Sequence, residues 1–478
     1  MKKLFLLLSL AANICIAQQI IVGDPAEPCG PPRPDYWIGR ARTPLRNGAG
    51  QGRGQTQRQL QKTFTAAALD SYAFGANVRV NDNPPGTSFE TPYSSGGHSI
   101  AVRGDTVYLV WRSDRNTNSA IYFDKSTDGG QTWGADVKVN DGDSAAIMPA
   151  LALGKDGTMY VSWTDFRDIT RHIYFAKSTN GGTSFTPAVR VQTATEEKQQ
   201  YSSIAVNDSG YIFIAYEDFR NLATTAIDIY CSRSTDGGSS FDTAVRVDDC
   251  TDSINQWYPC LTNQDSNVYV VWEDFRDTSI AGQRNIYFAL SNNNGISFKN
   301  NKLINDTVCY SSYSTGNPSI IGDNKNNVYI AWYDNRTPGD IYFTKSTDNG
   351  QTFIKPDKNL IDAAGLFYAQ GYPSLACDDS GGVYCAWEDK RNGEQIYFGF
   401  SKNYGDSFGN NKHVDDRPNE DSAWLWTPTI CANKKGYVYI AWMDSRNNPS
   451  VVGCYDVYFT PGNFIDPEGQ NTTGSARG

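Results

Sequence analysis

One position of a repeated pattern carries residues able to do acid–base chemistry. Seven segments share the form of "VYVVWEDFR" (268–276): "VYLVWRSDR" (107–115), "MYVSWTDFR" (159–167), "IFIAYEDFR" (212–220), "VYIAWYDNR" (328–336), "VYCAWEDKR" (383–391) and "VYIAWMDSR" (438–446) are the others. The residue after the aromatic changes from copy to copy, reading Arg112, Thr164, Glu217, Glu273, Tyr333, Glu388 and Met443. Glu273, Tyr333 and Glu388 therefore occupy one structural level in consecutive copies. Two carboxyls beside a phenol can protonate a leaving group and stabilise or attack a sugar cation, so these three are the candidate catalytic residues. The plainer reading makes them solvated or packing side chains. The Asp and Arg that follow, such as Asp274 and Arg276, recur in nearly every copy. An active site is asymmetric, so a pair present throughout reads as architecture rather than a sugar-acid clamp.

The elements that must position these residues follow from the repeat. Successive copies of the aromatic lie 52 to 60 residues apart. A second motif follows six of the seven: "STDGGQTW" (126–133), "STNGGTSF" (178–185), "STDGGSSF" (234–241), "SNNNGISF" (291–298), "STDNGQTF" (346–353) and "SKNYGDSF" (401–408). Period-two runs of aromatic and β-branched residues, bounded by Gly, Asn and Asp, predict four short strands (A to D) per unit. Such units are the mark of propeller blades. The octet falls between C and D, where a tight turn needs glycine at positive φ. Seven D-like strands occur against six octets, and the first, "VRVND" (78–82), stands before any A, B or C strand. The last unit stops after its C strand at 456–464. We therefore expect an all-β, seven-bladed propeller spanning 71–464, its last blade completed by an N-terminal strand. A closed ring of this kind leaves no free sheet edge. A six-bladed sialidase-type ring is the alternative.

The octets resemble the Asp-box (BNR) repeat of the sialidase superfamily, with the Ser-x-Asp-x-Gly-x-Thr-Trp form met in full at 126–133. The resemblance covers roughly residues 75–464. It implies that Ser126, Asp128, Gly130, Trp133, Asp236 and Asp348 are structural, on the face opposite the ligand site. It also implies a glycan-related role, as a binding module or as an exo-sialidase-type hydrolase or polysaccharide lyase. Catalytic sialidases of this type carry an early Phe/Tyr-Arg-Ile-Pro motif, which is absent here: "PPRPDYWIGR" (31–40) matches poorly and precedes the ring. Whether the chain is an enzyme stays open at this point. If it is, the resemblance points to a glycoside hydrolase.

On the face opposite the octets, the D-to-A connections are rich in aromatic residues. Trp257, Tyr258, Tyr313, Tyr372, Trp424 and Trp426 are the candidate ligand-binding residues, because exposed rings stack on sugars and anchor protein partners. A protein–protein interaction propeller is the further alternative.

"MKKLFLLLSLAANICIA" reads as a secretory signal peptide (1–17), followed by a flexible Gly/Pro/Arg/Gln-rich leader (18–70) and, after the ring, a disordered tail (465–478). The formal net charge is −10, and more acidic once Lys2 and Lys3 leave with the leader. That balance argues against nucleic acid and anionic membranes as partners. No segment approaches the length of a membrane span. Carbohydrate is the expected partner and a monomer the expected state. Nine cysteines remain in the exported chain, and Cys250 with Cys260 could clip a loop. No metal-ligand spacing is present, so no cofactor is expected. Acidic loops such as 140–144 and 248–253 allow calcium without forming a loop signature.

Overall fold

The computed structural model describes residues 71–465, apart from 169, 194–196, 277–283, 307–314, 337–338, 363–369 and 418–422. All lie within the unit Ala41–Gly478. They form seven antiparallel blades in a ring. Blade two shows the pattern: A is Ala146–Leu153, B is Met159–Asp165, C is His172–Ser178 and D is the short Val189–Arg190. Blades three to six repeat it from Gln199, Gln256, Thr315 and Gln370. From blade two to blade seven the B strands are buried along their whole length, except for Asn267 at the start of the strand in blade four. They are flanked by strands on both sides, and this explains why they read as near-continuous apolar runs.

Blade seven combines Leu425–Ala432, Val438–Asp444 and Asp456–Ile465 with Val78–Arg79 from the start of the ring. Val78 and Arg79 pair with Phe459 and Tyr458, so the N-terminal strand closes the ring as expected. The seam holds more than that strand. Ser71–Phe74 also pairs with Gly462–Ile465. Asn77 and Asp416 exchange two hydrogen bonds across the seam, at 3.0 and 2.8 Å.

The octets form the C–D turns. In the first, the Ser126 hydroxyl donates to Asp128 (2.7 Å) and accepts from the Gly130 amide (2.7 Å), while Asp128 accepts from the Thr132 hydroxyl (2.6 Å). Asp236 and Asp348 make the same bonds, to Ser234 and Ser240 and to Ser346 and Thr352. Each turn also grips the preceding blade. Trp133 meets Phe459 edge-on at 5.1 Å, Phe185 meets Phe123, Phe241 meets Phe175, Phe353 meets Phe288 and Phe408 meets Phe343. The octet glycine is needed twice over: Gly238 has φ +84°, and a Cβ there would lie 2.3 Å from the Phe175 ring.

One segment departs from the repeat. In the other A strands a bulge residue, usually followed by proline, leads straight into the strand, as in "NPSIIG" and "YPSLAC". Blade one reads "TP-YSSGGH-SIAV", with residues 93–98 inserted. Its A strand is accordingly split into Glu90–Thr91 and Ile100–Arg103, and the insertion crosses the ring axis as a 3-10 turn at Ser95–Gly97. Ser319 donates to the Gly96 carbonyl (2.8 Å), and Ser374 and Thr429 donate to that of Gly97 (3.2 and 2.5 Å). Cβ atoms on Gly96 and Gly97 would collide with Cys260 and Ser374. The insertion plugs the channel. Beneath it a cavity of about 290 Å³ remains, lined by the lower halves of the A strands.

The seven described cysteines are all free, so Cys250 and Cys260 do not clip their loop. Cys260 instead faces the axis, with its sulfur 3.8 Å from His98 Nε2. Among the described residues no group of His, Cys, Asp or Glu could hold a metal ion. None of the helices described is long and apolar enough to cross a membrane.

Candidate functional site

The B–C and D–A connections share one face of the ring. There each B strand from blade two to blade seven ends in an aromatic residue, the variable residue and an aspartate. In blade two the Trp163 indole donates to Asp165 (2.8 Å), and Arg167 forks onto the same carboxylate at 3.0 and 2.8 Å. The third arm of Arg167 reaches Asp141 after the D strand of blade one (2.8 Å), and its guanidinium covers Tyr174. The fork recurs at Asp218–Arg220, Asp274–Arg276, Asp334–Arg336, Asp389–Arg391 and Asp444–Arg446. Arg276, Arg336, Arg391 and Arg446 likewise reach an aspartate after the preceding blade's D strand, at 2.6 to 2.7 Å, so they brace one blade against the next with their charge matched within the protein.

Blade one has Ser113 where the others have aspartate. Glu90, on its A strand, takes over. It accepts from the Trp111 indole (2.8 Å) and the Ser113 hydroxyl (2.8 Å) and pairs with Arg115 (3.4 Å). Burial pushes its carboxyl up to about 7 against the opposing pull of Arg115 and these donors.

The variable residues have distinct fates. Each A strand from blade two to blade seven carries a bulge whose residue sits at positive φ: Met148, Tyr201, Tyr258, Asn317, Tyr372 and Thr427, at 50 to 56°. Such a conformation costs a non-glycine residue on the order of 1 kcal/mol or more. At Tyr201, Tyr258 and Asn317 it presents a backbone N–H to the preceding blade. Thr164 accepts from Tyr201 (3.2 Å), Glu217 from Tyr258 (2.9 Å) and Glu273 from Asn317 (2.7 Å). Glu273 is fully buried, and its second oxygen is held by Arg284 at 2.8 Å. Tyr333 is 7% exposed, and burial raises its phenol. Glu388 is also buried, and its Oε1 lies 3.3 Å from Lys390 Nζ. Its Oε2 has no hydrogen-bond partner. Burial pushes Glu217 and Glu388 up to about 8.

Glu273 and Tyr333 thus lie at one level without forming an open reactive pair. Arg284 stands between blades four and five, bonded to Glu273 and electrostatically felt by Tyr333. Glu388 sits apart, in blade six.

Among the candidate aromatics, Tyr258 and Tyr372 line the channel mouth with Tyr93, Asn317 and Thr427. Tyr372 meets Tyr93 edge-on at 5.8 Å, and Tyr258 meets Tyr201 at 5.0 Å. Trp257 packs on Phe275 (4.7 Å) under Arg284. Trp424 and Trp426 contact each other at 5.2 Å, and Trp426 stacks on Tyr455. All five rings are half-buried. Tyr313 lies outside the described residues. Sequence reasoning did not single out Tyr93, Arg284 or Lys390. The six-residue insertion was the available signal for Tyr93; the other two are ordinary loop residues with none.

No family model matches the sequence, and no curated protein is similar to it. Solved structures share the fold at low identity. A PL25 ulvan lyase is 13% identical with a TM-score of 0.56, covering 80% of this chain and 95% of its own; it has also been solved bound to a saccharide containing GlcA. A protein of unknown function from Dyadobacter fermentans DSM 18053 is 14% identical with a TM-score of 0.50, covering 66% of this chain and 94% of its own. The GH93 α-L-arabinofuranosidase of Fusarium graminearum is 16% identical with a TM-score of 0.48, covering 81% and 97%.

Proposed function

We propose that this chain is an exported carbohydrate-binding propeller whose ligand face is the B–C/D–A side of the ring. The observation that carries this reading is a set of half-buried rings on that side: Tyr258 and Tyr372 line the plugged mouth, and Trp257, Trp424 and Trp426 lie on blades four and seven outside it. A ring buried on one side and open on the other is suited to stack on a sugar. The ulvan lyase with a similar fold, which binds a polysaccharide unit, supports the same class of ligand. The resemblance of the octets to Asp-box repeats points the same way.

Binding is favoured over hydrolysis because the carboxylates Glu217 and Glu273 are already committed to backbone amides of the next blade. A second reading, glycan cleavage on the same face, is favoured by Glu388 alone, whose buried Oε2 is unpartnered. A glycan array run beside a release assay on sialylated and uronic-acid substrates separates the two. Binding without release is expected, and released sugar would establish the enzyme. Trp257→Ala, Tyr372→Ala and Trp426→Ala are each expected to weaken binding about three- to tenfold, the worth of one stacking contact. Unchanged binding in all three would place the ligand elsewhere.

A further inference from the structure

The following rests on the glycan-binding reading and locates one sugar within it. Opposite each variable residue of the B strands stands one residue of the A strand: Thr91 faces Arg112, Ile147 faces Thr164, Gln200 faces Glu217, Trp257 faces Glu273, Gly316 faces Tyr333, Gly371 faces Glu388 and Trp426 faces Met443. In the other blades this place is filled. Side chains occupy it in blades one, two, three, four and seven, and the Gln200 amide bonds Glu217 at 2.6 Å. In blade five a Cβ on Gly316 would stand 2.8 Å from Glu273 Oε1. Blade six differs: a Cβ on Gly371 would meet nothing within 4 Å.

Directly opposed residues of an antiparallel pair project to the same face, about 5 Å apart at Cβ. The open space therefore lies beside Glu388, which is 2% exposed. Lys390 Nζ holds Oε1 of both Glu388 (3.3 Å) and Glu394 (2.8 Å), and Oε2 of each is buried without a partner. Buried polar atoms of folded proteins nearly always have partners, so the orphaned Glu388 Oε2 beside an empty space calls for a ligand that supplies one.

We propose that the gap at Gly371 is a subsite for one neutral sugar residue, whose hydroxyl pairs with Glu388 Oε2. Among the described residues, the charged groups that act most on Glu388 are Lys390, Glu394 and Asp389, and the Tyr372 phenol is near it on the mouth side. Lys390 is shared by Glu388 and Glu394, and Arg391 is held by Asp389 and Asp362, so an anionic sugar would add a negative charge to a group whose cations are already paired.

The test uses the full chain on a printed array holding neutral and uronate-bearing oligosaccharides, with half-maximal concentrations read for each spot. Gly371→Leu fills the gap and is expected to weaken binding of glycans with neutral units at least tenfold. Gly371→Ala gives a milder version should the leucine disturb folding. Glu388→Gln, which keeps a donor and an acceptor, is expected to stay within threefold of the parent, whereas Glu388→Leu loses tenfold. A Gly371→Leu variant that folds and keeps the parent profile overturns the subsite while leaving the glycan-binding reading intact. Parent binding confined to wholly acidic glycans does the same. A parent chain that binds no spot overturns the glycan-binding reading itself, and the subsite with it.

Discussion

Glu90 and Ser113 show how a single site tolerates a missing side chain when another delivers the same atoms. Six blades place a carboxylate two residues before the arginine; blade one imports it from the A strand. Removing it by Glu90→Ala leaves the buried Trp111 indole without its acceptor and Arg115 with its remaining partners Asp82 and Asp136. A loss of about 3 kcal/mol in unfolding free energy is expected, in the range for breaking a buried charged pair. Adding Ser113→Asp to that variant restores the arrangement of the other blades and is expected to recover at least half of the loss. Urea titration of the parent and the two variants measures both. No recovery would mean that Glu90 has a role beyond replacing the aspartate.

At the scale of the element, the octet turn is a latch as well as a turn. Its glycine admits the aromatic ring of the preceding blade, and its last residue packs edge-on against that ring. Gly238→Ala combines a strained φ with a Cβ 2.3 Å from Phe175, so a cost of about 2–3 kcal/mol is expected. Blade seven has no octet to latch onto blade six. The strand Ser71–Phe74 takes that place: Tyr72 and Phe74 lie 5.2 and 5.3 Å from Phe398, the counterpart of the phenylalanines gripped elsewhere. Phe74→Ala is therefore expected to destabilise by about 1–2 kcal/mol, since the ring is only partly buried. Tyr72→Ala should cost more, because its hydroxyl also donates to the Gly436 carbonyl at 2.8 Å. Thermal unfolding orders the two, and equal midpoints for parent and Tyr72→Ala would show that Val78–Arg79 closes the ring unaided.

For the whole molecule, buried carboxyls set the pH of greatest stability. Glu90 is raised to about 7 and Glu217 and Glu388 to about 8, all from about 4.5 and all chiefly by burial. Between those limits the folded state binds more protons than the unfolded one, so stability falls as pH rises. The octet carboxylates act oppositely: hydrogen bonds hold Asp128 and Asp236 at about 2, and their contribution is lost only as the pH drops below the ordinary aspartate range near 4. A melting temperature higher at pH 5 than at pH 8 is expected by differential scanning calorimetry. Glu217→Gln should flatten the alkaline limb. A midpoint that rises from pH 5 to pH 8 would contradict the assignment.

The fold was legible in the chain because its contacts are local and repeated. Each hairpin joins neighbours in sequence, so period-two runs and glycine-bearing octets announce strands and turns, and the missing seventh octet announces the seam. Residue types at the B-strand ends were legible for the same reason. Their chemical states were not. Glu273 and Glu388 follow the same aromatic and precede the same aspartate, yet one is bound on both oxygens and the other on one. The difference comes from Arg284, Lys390 and the opposed Trp257 and Gly371, which come together only when strands and blades pack. The insertion at 93–98 is visible in the sequence, but its destination is the axis, a place that exists only once seven blades have closed around it. Periodicity encodes what a strand buries; proximity between blades, which no local pattern carries, decides which buried group keeps an unmet hydrogen bond.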